Sequence, residues 1–228
     1  MTDFLRYPHT PHLAWLGDGA PRNDKLLDPT EADSLLAETV RVEEKLDGAN
    51  VGLSWGEEGQ LRAQNRGGFL EPPYRDQFSR LNEWTMRHWA IFQHHLPTNL
   101  ILFGEWCAAR HSLDYTALPD WFLVFDVFDR DVWQFWNSER RDELARQMGL
   151  YTVPLISEDR FTLRQLESLV KTTSSAFREG PLEGVIIRQD QGNLNTRRAK
   201  LVHPAFTQAM DEHWRARPIE WNRLCDEG

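Results

Sequence analysis

The chain has 228 residues, a formal net charge of -9 and 40% hydrophobic residues, enough for the packed core of one large or two small globular domains. No run approaches the roughly 20 apolar residues that span a bilayer, and Met1-Thr2-Asp3-Phe4 lacks the basic-then-apolar start of a secretory signal. The acidic balance argues against a broad surface that grips nucleic acid, since phosphate contacts need cations, but it leaves room for a small basic site.

Residues 1–39 read as an irregular, proline-punctuated lead with a short helix over 30–39, where Thr30 supplies the cap and Asp33 the acidic third position. From Val40 the apolar period becomes two. Val40 and Val42, then Val51, Leu53 and Trp55, alternate on either side of a loop at Lys45. Residues 56–59 make a turn, and 61–65 return as a hairpin partner. Between 74 and 96, Phe78, Leu81, Trp84, Met86, Trp89, Phe92 and Leu96 fall at near-helical spacing and Pro97 follows, which predicts one long amphipathic helix with core-facing aromatics. The apolar runs 100–106 and 121–128 predict buried strands. Helices are expected at 138–148 and 163–171, strands at 182–188 and 199–202, and a last helix at 204–215. The economical architecture is α+β: mixed, mainly antiparallel sheets with flanking helices, in a single domain over 1–228 with its lead at 1–39. Cys107 and Cys225 form neither a disulfide framework nor a metal pair by spacing, which fits a reducing cytoplasm.

Four of the 26 basic residues are lysines, Lys25, Lys45, Lys171 and Lys200. Lys45 stands in Lys45-Leu46-Asp47-Gly48, between two alternating stretches. A guanidinium is effectively never deprotonated, so a lysine kept here suits a nucleophilic amine, although a solvated turn lysine has the same look. Nucleophilic use requires loss of a proton held to a pKa of about 10.4, and neighbouring cations or partial burial are expected to lower that value. Asp47 is placed to orient the amine or to meet a ribose or metal, and Gly48 lets the backbone turn closely.

Further chemistry-bearing residues fall at strand ends. Ile101-Leu102-Phe103-Gly104-Glu105 ends a buried strand in a carboxylate. Phe122-Leu123-Val124-Phe125-Asp126 pairs aromatics with an acid. Glu183-Gly184-Val185-Ile186 begins a strand with a carboxylate, and Arg198-Ala199-Lys200 puts two cations on one face. Each alone is equally a solvated strand terminus or an exposed face. Local basic clusters at Arg62 and Arg66 and at Arg197, Arg198 and Lys200 suggest a positive pocket on an acidic body.

In this order and spacing these segments resemble the covalent nucleotidyltransferase superfamily of ATP-dependent RNA and DNA ligases and capping enzymes, over residues 43–202. Glu44-Lys45-Leu46-Asp47-Gly48-Ala49-Asn50, with Arg66 ahead of Phe69-Leu70, is most similar to the RNA ligase 2 type. The resemblance implies a nucleotidyltransferase, ATP-grasp-like adenylation domain in which Lys45 attacks the α-phosphate of ATP and becomes a lysine-adenylate. It places Glu44 at the adenine, Phe122 stacked on the base and Glu105 on the ribose hydroxyls. Arg66 and Asn50 would meet the nucleotide phosphate or the polynucleotide end. Glu183 would hold Mg²⁺ or Mn²⁺, and Lys200 the α-phosphate. AMP would then pass to an RNA 5′-phosphate, and a 3′-hydroxyl would displace it.

Two departures stand out. Arg198 occupies a position where the family often has lysine, and a guanidinium pairs with phosphate differently. The chain also ends 28 residues after Lys200, so no separate C-terminal domain is expected and self-adenylation is a safer expectation than complete sealing. Three other readings stay open: a DNA ligase, a capping-type enzyme using GTP, or a nucleotide- or RNA-end-binding module in a larger repair complex, beside a kinase or phosphatase that heals ends. The stretch 110–115, with His111 and Tyr115, is either a structural loop or part of the pocket wall.

Overall fold

A computed structural model describes residues 4–18, 25–207 and 218–225. Two mainly antiparallel sheets face one another across a cleft, and each carries helices on its outer side.

The first helix, α1 (Pro29–Leu36), starts earlier than expected. Asp28 is its cap, Glu31 reciprocates in a capping box and Pro29 takes the first turn, so Thr30 lies inside the helix. The pattern Asp-Pro-x-Glu satisfies two orphan N–H groups and places proline where its missing N–H costs nothing. Strands β1 (Val40–Lys45), β2 (Ala49–Trp55) and β3 (Leu61–Gln64) follow, with β2 and β3 as the expected hairpin.

The long helix predicted for 74–96 is broken. A 3₁₀ turn at Asp76–Phe78 precedes α2 (Leu81–Arg87) and α3 (Trp89–His95). Asp76 has a positive φ of 51°, which no helix propagates through. At His88 the backbone turns out of helical geometry (φ -96°, ψ 1°), while the ring Nδ1 meets the Trp84 carbonyl at 2.9 Å. Trp84, Leu81 and Phe92 are buried as their spacing implies, whereas Met86 points to solvent.

Strands β4 (Leu100–Trp106) and β5 (Phe122–Asp129) are central to the larger sheet, and the short β6 (Gln134–Phe135) closes its edge. Next come α4 (Ser138–Gln147), β7 (Tyr151–Thr152), β8 (Leu155–Asp159) and α5 (Leu163–Thr172). The described chain completes its sheets with β9 (Gly184–Gln191) and β10 (Leu194–Val202), followed by the single turn α6 (Pro204–Thr207). The rest of the helix predicted for 204–215 lies outside the described residues.

The larger sheet has the order β3-β2-β4-β5-β6, with β7 added parallel to β5, and the smaller has the order β10-β9-β1-β8. Val51, Leu53, Leu100, Leu102 and Trp106 pack the outer face of the larger sheet onto Trp84 and Phe92. Val42, Val185, Ile187 and Leu201 pack the smaller sheet onto Leu35 of α1 and Leu166 and Val170 of α5. Strand alternation then sends the remaining side chains, many of them charged, into the cleft. Among the described residues no helix is long and apolar enough to cross a membrane.

Candidate active site

The cleft contains a cavity of about 750 Å³, a size that suits a nucleotide. Its wall includes Glu44, Lys45, Gly48, Asn50, Arg66, Glu105, Glu183 and Lys200. Lys45 ends β1, Glu105 lies near the end of β4, Glu183 immediately precedes β9 and Lys200 sits in β10. Lys45 pairs with Gly184 across β1 and β9, which sets its side chain beside Glu183.

Lys45 Nζ donates to both carboxylate oxygens of Glu183, each at 2.6 Å. The Gly48 N–H donates to Glu105 Oε1 at 3.1 Å, tying the lysine loop to β4. A Cβ on Gly48 would lie 2.6 Å from the Trp106 carbonyl oxygen, so glycine is required there by close backbone approach rather than by an unusual φ. Asp47 does not line the cavity. Its carboxylate accepts from the backbone N–H groups of Ser112 (2.7 Å) and Leu113 (2.9 Å), holding the 110–115 loop against the Lys45 loop.

The electrostatics run opposite to the expectation for Lys45. Burial pulls its pKa down, but Glu183, then Glu105 and Asp47, push harder, and the net direction is up. The resting amine is a held ammonium. Burial drives Glu183 and Glu105 up to about 7 each; the negative charge of Asp47 adds to both rises and that of Glu183 to the rise of Glu105, while Lys45 opposes both. Between about pH 4.5 and 7 the folded state therefore binds more protons than the unfolded chain, and stability falls as pH rises through this window. In metal-free buffer, urea unfolding at pH 5 and pH 8 is expected to show this loss in the wild type. Glu105→Gln should remove roughly half of it, because Glu105 is one of the two carboxyls raised to about 7.

Glu44 is buried on the cavity wall. Its Oε2 accepts from the Ala176 N–H at 2.9 Å, while Oε1 is buried with no hydrogen-bond partner among the described residues. Asn50 Oδ1 is orphaned in the same way. Buried acceptors without partners are costly, and two on one wall point to a ligand that supplies donors.

Phe122 departs from its expected place. It is fully buried on the outer side of the sheet, 5.2 Å centroid to centroid from Trp84, and fills the space left by Gly104, whose Cβ would come within 2.5 Å of its ring. Phe125 lines the cavity instead. Phe122 lies opposite Trp106 on the outer face, so alternation turns Phe125 to the cleft, and a β-bulge, with Gly104 paired to Val124 and Phe103 to Asp126, keeps Asp126 on that face beside it.

The basic cluster of β10 also disperses. Arg197 donates to the Ser34 hydroxyl at 2.8 Å, Lys200 lines the cavity, and Arg198 does not. Arg198 joins a buried network at the back of the cleft. It contacts Asp126 and the Tyr7 hydroxyl, and Asp126 also accepts from Arg188 at 2.7 Å. Arg188 lies 3.8 Å from Glu43, which accepts from Arg141 of α4 at 2.6 Å. Sequence reasoning missed this network. Its one visible signal was charge at positions in β1, β5 and β9 that alternation turns away from solvent. It also missed the lead: Tyr7, His9 and Thr10 line the cavity, so the N-terminal segment forms part of the site as well as packing on the sheets.

The profile of the RNA ligase family matches residues 38–202. The chain belongs to the RNA ligase family. Solved structures of Naegleria gruberi RNA ligase point mutants share its fold. One without ligand aligns with a TM-score of 0.66 at 15% identity, covering 93% of this chain and 60% of that one. Another, with ATP and Mn, gives 0.65 at 16% identity, covering 92% and 59%. A third, with AMP and Mn, gives 0.65 at 16%, with the same coverage. The chain thus spans about 60% of the Naegleria ligase chains. No curated protein sequence matches it. Within this RNA ligase family fold, Lys45, Glu105, Glu183 and Lys200 share one cavity. His111 is on its wall too, 2.7 Å from Gln77 Oε1 through Nε2, so the 110–115 stretch combines a structural loop with a pocket residue.

Proposed function

We propose that this protein is an ATP-dependent RNA ligase that adenylates itself on Lys45. One observation carries the reading: in a family-matched fold, a lysine amine is held by carboxylates inside a nucleotide-sized cavity that also contains a second cation, Lys200.

In the first step Lys45 Nζ attacks the α-phosphorus of ATP. An N–P bond forms, the P–O bond to the β-phosphate breaks, and pyrophosphate leaves with the bonding pair. The amine must first release a proton, and Glu183, 2.6 Å away with its carboxyl pushed up to about 7, is the adjacent acceptor. Lys200 stabilises charge on the α-phosphoryl group. Glu44 Oε1 and Asn50 Oδ1 accept donors from the nucleotide, and Phe125 offers a face for the base. Glu105 faces the ribose hydroxyls.

The Glu183 carboxylate, whose counter-ion here is the Lys45 ammonium, fits a divalent cation once that amine is drawn to the α-phosphate. Glu183 would hold Mg²⁺ or Mn²⁺, which keeps most of its waters and needs few protein ligands. The ion supplies charge neutralisation for the phosphates. In the second step AMP passes from Lys45 to an RNA 5′-phosphate. In the third a 3′-hydroxyl attacks that phosphate, joins the strand and releases AMP. We place the reaction in the repair of broken RNA in the cytoplasm, with magnesium as the working ion. An end-healing kinase or phosphatase would supply the required termini. The free thiols Cys107 and Cys225 fit that compartment.

Incubation with ATP and Mg²⁺ is expected to add one AMP to the intact mass, with GTP giving none. Purified adenylate should then seal a nicked duplex with RNA on the 3′-hydroxyl side faster than its all-DNA counterpart. No adduct between pH 6 and 9 with either Mg²⁺ or Mn²⁺ would remove the enzymatic reading.

A further inference from the structure

Residues 218–225 return from outside the sheets to a loop that the reaction scheme leaves unused. The Asn222 N–H donates to the Ala108 carbonyl and the Arg223 N–H to the Tyr115 carbonyl, while the Arg110 and Leu118 N–H groups donate to Glu220 and Arg223. This ladder is anchored from one side by Arg80, whose guanidinium lies 4.3 Å from the Trp221 ring and 5.2 Å from Trp121. Asn222 itself is 2% exposed. Its Oδ1 accepts from the Tyr115 N–H at 2.9 Å, and its Nδ2 donates to the Cys107 carbonyl at 2.7 Å.

One amide side chain therefore fixes both ends of the 107–115 loop. That loop in turn grips the residue two positions beyond the nucleophile. The fully buried Tyr115 hydroxyl accepts from the Asp47 N–H at 2.8 Å, and the Ser112 and Leu113 N–H groups hold the Asp47 carboxylate. Asp47 is thus fixed through both its backbone and its side chain, by a loop whose own shape depends on the C-terminal segment.

We infer that Tyr115 and Asn222 are positioning residues for lysine adenylation: the C-terminal segment clamps the 107–115 loop, and Tyr115 passes that constraint to the Lys45 loop. The inference rests on Lys45 being the nucleophile. Neither residue lines the cavity, so the clamp governs where the amine sits without touching ATP. In-line attack tolerates little displacement of the nucleophile, and losing one buried hydrogen bond that sets its loop is worth about tenfold in rate.

Tyr115→Phe removes the acceptor hydroxyl and leaves the ring in place. Single-turnover Lys45-AMP formation at saturating ATP is expected to slow about tenfold, with the KM for ATP changing less than about twofold. Asn222→Ala should slow it similarly, and the double variant should be only slightly slower than either single one, because both act through one connection. A purely structural role would lower the melting temperature and leave the rate well below melting unchanged. Amide exchange provides an independent reading: the peptide containing residues 46–50 should lose protection in both variants. Should the wild type form no adduct, the ligase reading falls and exchange alone decides the clamp. Should the wild type react and Tyr115→Phe match its rate with unaltered exchange, the inference is overturned.

Discussion

Lys45→Arg is expected to abolish the AMP adduct while leaving the protein folded, a loss of at least ~10³-fold in adenylation rate, or about 4 kcal/mol of transition-state stabilisation. A guanidinium can reproduce the ion pair with Glu183, yet it cannot give up its proton to become a nucleophile. Lys45→Ala should lose the adduct equally but behave differently as a protein. With the ammonium gone, Glu183 loses the one nearby group that most strongly lowers its pKa, and its carboxyl, already pushed up to about 7, rises further. The alanine variant should therefore hold an extra proton near neutral pH. Intact mass after ATP and Mg²⁺ reports the adduct, and thermal melting reports the fold. An arginine variant that still acquires AMP would move the nucleophile elsewhere, for which Lys200 is the adjacent candidate.

The sequence made the chemical groups at strand ends readable because their types are unusual for those places. A scarce lysine after alternating valines, and glutamates at the ends of apolar runs, retain their meaning wherever the strands pair. Glu105 and Glu183 reach the same amine because β4 and β9 lie in facing sheets. Phe122 and Phe125 show where this reading ends. They are three apart in one apolar run, and simple alternation puts them on opposite faces without saying which face is the cleft. Pairing decides that: Phe122 falls opposite Trp106 on the outer face, and that partner strand is some twenty residues away in sequence. Arg198 shows a second limit. Two residues from Lys200 on the same strand face, it looked like a second phosphate contact, but its partners Tyr7 and Asp126 are separated from it by 191 and 72 positions. The direction of the Lys45 pKa was similarly hidden, since it depends on which distant carboxylates converge on the amine.

Those distant partners give Asp126 the largest expected effect on stability. It is fully buried on β5 between Arg188 of β9 and Arg198 of β10, so one carboxylate links the larger sheet to two strands of the smaller one. Burial raises its pKa, but Arg188 and Arg198 outweigh it and hold the carboxyl below its ordinary range. Its stabilising charge is therefore present at neutral pH and is lost as pH falls below the usual aspartate value near 3.8. Asp126→Ala leaves two guanidiniums facing an uncompensated space at the back of the cleft, where Glu43 at 3.8 Å reaches only Arg188. Removing one partner of a buried ionic network typically costs about 3–5 kcal/mol, which for a chain of this size lowers the melting point by roughly 10 °C. Asp126→Asn should recover little, because a neutral amide brings its own N–H donors toward guanidinium donors. Tyr7→Phe should cost much less, since it removes a hydroxyl and leaves every charge paired. Urea unfolding at pH 7 orders the three variants. If Asp126→Ala costs less than about 1 kcal/mol, the sheets are held together by their apolar packing, and the ionic back of the cleft serves only to fix their register around the site.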